Sequence, residues 1–103
     1  MTKVIITKKD DYISNVIIKD HSNYADYGQD IVCAAISAIV IGGLNALEKK
    51  GLAKDYILVD DEDDCIIINL IDDEIIKQVI DTIIIQLITL EEEYGDYLQI
   101  TFK

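Results

Sequence analysis

The stretch from Ile31 to Leu47 constrains this chain more than any other part of it. Only Ser37, Gly42, Gly43 and Asn45 interrupt its apolar character, and the acids Asp30 and Glu48 bracket it. A bilayer span needs about 20 predominantly apolar residues, so the run sits at the lower edge of that length. Its polar interruptions and charged ends read instead as a helix that the rest of the chain must cover. Asp30 stands where an N-cap belongs, two lysines fall in the last turn, and Gly51 follows as a C-cap. The expected helix runs from Ile31 to about Lys50.

What covers it can be read on either side. Residues 3–7 and 12–19 are short β-branched runs separated by Lys8-Lys9-Asp10-Asp11, which reads as a hairpin. Residues 56–59 and 65–71 form a second such pair around Asp60-Asp61-Glu62-Asp63-Asp64. From Asp73 or Glu74 to about Tyr94, apolar residues at 76, 79, 80, 83, 84, 87 and 88 give the three-and-four spacing of one buried helix face. Gly95 ends that helix and 97–102 reads as a last strand. The expected fold is α+β in the order ββαββαβ, a single-layer sheet with two helices packed on one face, in a single domain over 1–103. No internal repeat or low-complexity segment is evident.

Charge narrows the function classes. Twenty acids face nine bases, all of them lysine, for a net charge of -11. Such a surface repels phosphate backbones, and a nucleic-acid partner is not expected. It attracts a basic peptide instead. The apolar part of the N-terminal segment is too short for a signal peptide, and no membrane association is expected. The two cysteines then read as free thiols in a reducing compartment, which places the chain in the cytoplasm. The five-acid run lacks the spaced ligands, glycine and distal glutamate of a calcium loop and reads as a solvated hairpin tip. One histidine and two distant cysteines form no zinc spacing, so neither a metal nor another cofactor is expected.

Reactive groups gather only between His21 and Ser37. Periodicity vanishes from Asp20 to Gln29, leaving a polar, aromatic loop with Gly28 available for a positive φ. If Asp30 caps the helix, Cys33 is its third residue, where unpaired amides and the helix dipole favour a thiolate. An imidazole is the usual base for such a nucleophile, and His21 is the only histidine of the chain. The amides of the helix start, that of Cys33 included, could also hydrogen-bond a developing oxyanion. Ser37 lies one turn beyond Cys33 on the same face. Cys65 reads as a core residue of a strand. By spacing alone, Cys33 could equally be a small buried hydrophobe and His21 a surface residue.

The stretch His21-Ser22-Asn23-Tyr24-Ala25-Asp26-Tyr27-Gly28-Gln29-Asp30-Ile31-Val32-Cys33-Ala34-Ala35-Ile36-Ser37-Ala38 resembles the signature of the ribosomal-processing cysteine protease family, Prp. That signature has Gly-His-Ala, a short spacer, and then Gly-x-Asp-Ile-Val-Cys-Ala-x-x-Ser. The ending Leu90-Glu91-Glu92-Glu93-Tyr94 also resembles the family's last helix, so the likeness covers essentially the whole chain. The resemblance implies a cofactor-free, dimeric, cytoplasmic endopeptidase. It would remove the N-terminal extension of large-subunit ribosomal protein number twenty-seven, cutting after a phenylalanine.

Carried over by position, Cys33 is the nucleophile and His21 the general base, with Asp30, Ser37 and Gly28 in support. Asp20, Ser22, Tyr24 and Tyr27 belong to the substrate loop, whose closure brings His21 towards Cys33. Two positions depart from the signature: Asp20 replaces the glycine before the histidine, and Ser22 the alanine after it. Asp20 is expected to restrict the loop backbone and to favour the charged imidazole. The rival from another class is a non-catalytic acidic module that holds a basic ribosomal protein or assembly factor. Thiol reactivity separates the two, since a catalytic Cys33 is alkylated faster than Cys65.

Overall fold

Strands that alternate between two faces and helices that repeat every three or four residues bury one face each, and those faces meet in one core. The computed structural model of the protein describes residues 1–26, 28–52, 57–60 and 65–103, with 57–60 as backbone only. The elements are β1 (Thr2–Lys9), β2 (Tyr12–Lys19), α1 (Ile31–Lys49), β3 (Ile57–Asp60), β4 (Cys65–Asn69), α2 (Glu74–Tyr94) and β5 (Leu98–Phe102). The order is the expected ββαββαβ. Tyr27 and the acidic tip 61–64 lie outside the described residues.

The five strands form one sheet in the order β3-β4-β2-β1-β5. β1 and β2 make an antiparallel hairpin whose turn places Asp10 at φ +58°. β4 pairs antiparallel with both β2 and β3, whereas β5 lies parallel to β1 along the other edge. Register carries the core across the sheet: Val4 faces Ile18 and Ile100, and Val16 faces Ile6 and Ile68. All but the half-buried Ile100 are buried on the helix side.

That period of two also places Cys65, which the sequence reading put in the core. Ile66 and Ile68 take the core face of β4, so Cys65 falls on the opposite face and is half-buried.

α1 buries Val32, Ile36, Val40, Leu44 and Leu47; α2 buries Ile76, Ile80, Ile83, Ile84 and Leu87. Asp73 caps α2 by accepting from the amides of Ile75 and Ile76 at 2.9 and 3.0 Å. At the other end of α1, Lys50 is the C-cap and Gly51 follows at φ +77°, the left-handed turn that glycine suits. Among the described residues α1 is the one helix long and apolar enough to cross a membrane, but its buried stripe is part of this core.

The glycine pair inside α1 splits into two roles. A Cβ on Gly43 would sit 2.3 Å from Cδ1 of Ile83, a buried residue of α2, so Gly43 sets the closeness of the two helices. A Cβ on Gly42 would meet nothing within 4 Å. Gly42→Ala is therefore expected to stabilise the protein by about 1 kcal/mol through helix propensity. Gly43→Ala gains the same propensity but incurs about 1–3 kcal/mol of overpacking. Urea unfolding of the two variants should place Gly43→Ala below Gly42→Ala by that margin; equal stabilities would show that Ile83 yields without cost.

Candidate active site

One end of the sheet gathers the start of β1, the end of β2, the loop 20–30, the start of α1 and the junction of α2 with β5. Thr2 ties two of these together: its amide donates to the Tyr97 carbonyl at 2.9 Å, and its hydroxyl to the Asp20 carbonyl at 3.1 Å. Asp20 sits at φ +68°, a left-handed conformation that glycine adopts freely and aspartate tolerates. The loop therefore leaves β2 through a glycine-type bend that this chain makes with Asp20. Gly28, at φ +86°, makes a second one near the loop's end.

Asp30 holds the loop and the helix together. One carboxylate oxygen accepts the Cys33 amide at 2.9 Å, the expected N-cap bond. The other accepts the Ser22 hydroxyl at 2.5 Å and the Tyr24 amide at 3.1 Å. Ser22 is buried, and this carboxylate is its partner. Desolvation by itself raises the Asp30 pKa. Hydrogen bonds from Ser22 and from the amides of Cys33, Tyr24 and Ala25 outweigh it and hold the carboxyl below its usual value. The sequence leads one to expect Asp30 mainly to cap the helix and secondarily to orient His21; its grip on Ser22 and Tyr24 is additional.

That grip corrects one expectation. The Cys33 amide was counted among the oxyanion donors, but Asp30 occupies it, and the Ala34 amide donates to the Asp30 carbonyl at 3.0 Å. The helix-start amides that Asp30 does not engage are those of Ile31 and Val32.

His21 and Cys33 line one cleft of about 500 Å³, together with Asn23, Ala25, Gly28, Asp30, Ala34 and Ser37. Cys33 is half-buried on the third residue of α1, while His21 is exposed on the loop that faces it. Of the residues singled out in the sequence, Cys33, His21, Asp30, Ser37 and Gly28 thus share the cleft wall. Asp20, Ser22 and Tyr24 are not part of that wall. Asn23, at φ +59°, Ala25 and Ala34 join the cleft without having been singled out. The Tyr24 ring turns away and packs edge-on against Tyr97 and Tyr94, with ring centroids 5.0 and 5.8 Å apart. No local sequence signal announces those pairs, since they depend on where β5 lies. Among the described residues no group of three or more His, Cys, Asp or Glu is placed to hold a metal ion.

A cleft with a thiol at a helix start and an imidazole on the facing loop can perform nucleophilic acyl transfer. Known proteins of this shape do related chemistry. The family model described as cysteine protease Prp matches residues 1–99. The ribosomal processing cysteine protease Prp of Staphylococcus aureus (strain Mu50) is 31% identical, with both chains covered in full. The crystal structure of the S. aureus protease Prp with a covalently linked product peptide superposes with a TM-score of 0.89 at 32% identity, again over 100% of both chains. Its complex with a substrate peptide gives a TM-score of 0.83 at 31% identity over the same coverage. Matches that span nearly the whole chain, in sequence and in fold, make this chain a member of the cysteine protease Prp family.

Proposed function

We propose that this protease removes the N-terminal extension of large-subunit ribosomal protein number twenty-seven, cutting after a phenylalanine through Cys33 and His21. The observation that carries the reading is the shared cleft: the chain's only histidine and the thiol at the start of α1 both line it. The S. aureus relatives, solved with a substrate peptide and with a covalently linked product peptide, support a peptide as the occupant.

In this mechanism the Cys33 thiolate attacks the scissile carbonyl carbon, and the C–S bond forms as the carbonyl π electrons move to oxygen. The amides of Ile31 and Val32 stabilise that oxyanion. Collapse breaks the C–N bond, and His21 delivers its proton to the leaving amine. Water, deprotonated by His21, then attacks the thioester and returns the free thiol. Ser37 borders the cleft one turn along α1, and Gly28 shapes the loop opposite.

The net charge of -11 supports a basic ribosomal precursor as substrate through long-range steering. A homodimer in the cytoplasm is part of the same proposal. Exposed Ile31 and Ile41 on α1 and Ile75 and Ile85 on α2 supply apolar surface for a second copy. The test is incubation of the protein with a peptide spanning the extension, read by mass spectrometry, beside a sample whose thiols are blocked by iodoacetamide. A single cut after phenylalanine, absent from the blocked sample, is the expected result. Binding without cleavage would replace the protease reading of this cleft with that of a holding module.

A further inference from the structure

Asn23 lines the cleft, and neither the dyad nor the core accounts for it. It is exposed and sits at φ +59°, between Ser22 and Tyr24, both of which Asp30 holds. Left-handed backbone outside glycine is uncommon, and asparagine is among the side chains that tolerate it best. The bonds on either side fix that turn, so the Asn23 carboxamide is carried on an ordered part of the loop. Among the described residues it makes no hydrogen bond. The Asp30 carboxylate in the same wall, by contrast, accepts from Ser22 and from the amides of Cys33, Tyr24 and Ala25. Ala25 and Gly28 bring no polar side chain to the wall. Of the described loop residues that line the cleft, Asn23 is therefore the one, besides His21, whose side chain can both donate and accept.

We propose that Asn23 is a substrate-binding residue: its carboxamide hydrogen-bonds the backbone N–H and C=O of one residue of an extended peptide lying in the cleft. This rests on the protease reading above. A carboxamide carries a donor and an acceptor side by side. An extended chain presents the N–H and C=O of the same residue on one side, the pair that a neighbouring antiparallel strand engages. The two patterns are complementary. Because the contact is to backbone, it fixes the register of the peptide whatever side chain stands at that position. Each such hydrogen bond strengthens binding by about twofold to tenfold, so the pair contributes about fivefold to a hundredfold.

The test is steady-state cleavage of the peptide spanning the extension by the full chain carrying Asn23→Gly, which keeps the left-handed turn and deletes the carboxamide. Its kcat/KM is expected to fall about fivefold to a hundredfold, chiefly through a higher KM. Alkylation of Cys33 by iodoacetamide, a probe without an extended backbone, should keep the parent rate. A second series replaces each backbone N–H of the peptide in turn by an ester oxygen. At one position the ester should lower the parent's kcat/KM far more than that of Asn23→Gly, as expected when both changes remove one contact. Parent-like kinetics for Asn23→Gly would make Asn23 a turn former only and overturn the binding role. Alkylation slowed along with cleavage would assign its effect to Cys33 and His21 and overturn the role as well. So would ester effects that are equal in the two proteins at every position. Failure of the protease reading is seen separately, as a parent that binds the peptide and cuts none of it. The same variant and ester series, read by equilibrium binding, then still decides the contact.

Discussion

Cys33→Ser is expected to bind the substrate peptide as the parent does while losing nearly all turnover. A hydroxyl in place of the thiol keeps the shape of the cleft. Its proton is held far more tightly than a thiol's, so the loop imidazole cannot generate the anion that attacks. Cys33→Ala should leave no acyl-enzyme at all. In the proposed mechanism His21→Ala removes the base and the proton donor together, and a loss in kcat of about 10²–10⁴ follows from the usual magnitude of general acid–base catalysis. The double variant should be hardly worse than Cys33→Ala, because members of one catalytic unit fail together. Single-turnover cleavage assays with a labelled peptide, alongside equilibrium binding, separate the two effects. Cleavage of the same bond by Cys33→Ala would remove the thiol from the mechanism. Parent-like turnover by His21→Ala would require another base, and the described wall of the cleft offers only Asp30 for it, whose oxygens already accept from Ser22 and from the amides of Cys33, Tyr24 and Ala25.

Much of this was legible in the residues because the signals are local. The three-and-four spacing from Ile76 to Ile88 and the capping acids Asp30 and Asp73 mark both helices within a residue or two. The β-branched runs mark the strands, whose bounds shift by up to two residues: β1 begins at Thr2 and β4 stops at Asn69. Cys33 and His21 also stand in one recognisable stretch. What could not be read depends on residues distant in sequence. Nothing near Tyr24 says that β5 runs parallel to β1 and so delivers Tyr97 to it. Gly43 and Gly42 are adjacent and alike in sequence, yet only the crossing of α1 against Ile83 tells them apart. The occupancy of the Cys33 amide was missed for a different reason. An N-cap bond and an oxyanion bond compete for the same proton, and the sequence reading had assigned both.

Because its carboxylate accepts from Ser22, Tyr24 and Cys33, the loss of Asp30 should cost the fold heavily. Asp30→Ala removes the cap of α1, worth about 1 kcal/mol. It also leaves the buried Ser22 hydroxyl without its acceptor, a further penalty of about 1–3 kcal/mol. The total, about 2–4 kcal/mol, is a large share of a small domain's stability. Asp30→Asn should fall between parent and alanine. Its single amide oxygen can serve the Cys33 amide or the Ser22–Tyr24 pair, but not both, and its NH2 group opposes whichever donors remain. The pH dependence follows from the direction of the Asp30 shift. Because the folded carboxyl is held below its usual value, its contribution is present in full above the unfolded pKa of about 4 and fades as pH falls through the lower folded value. The stability gap between parent and Asp30→Asn, measured by urea unfolding, should therefore be widest near neutrality and narrow on acidification below about pH 4. A gap that does not change with pH would mean that the charge on Asp30 contributes nothing, and that the shape of its hydrogen bonds alone holds the loop against α1.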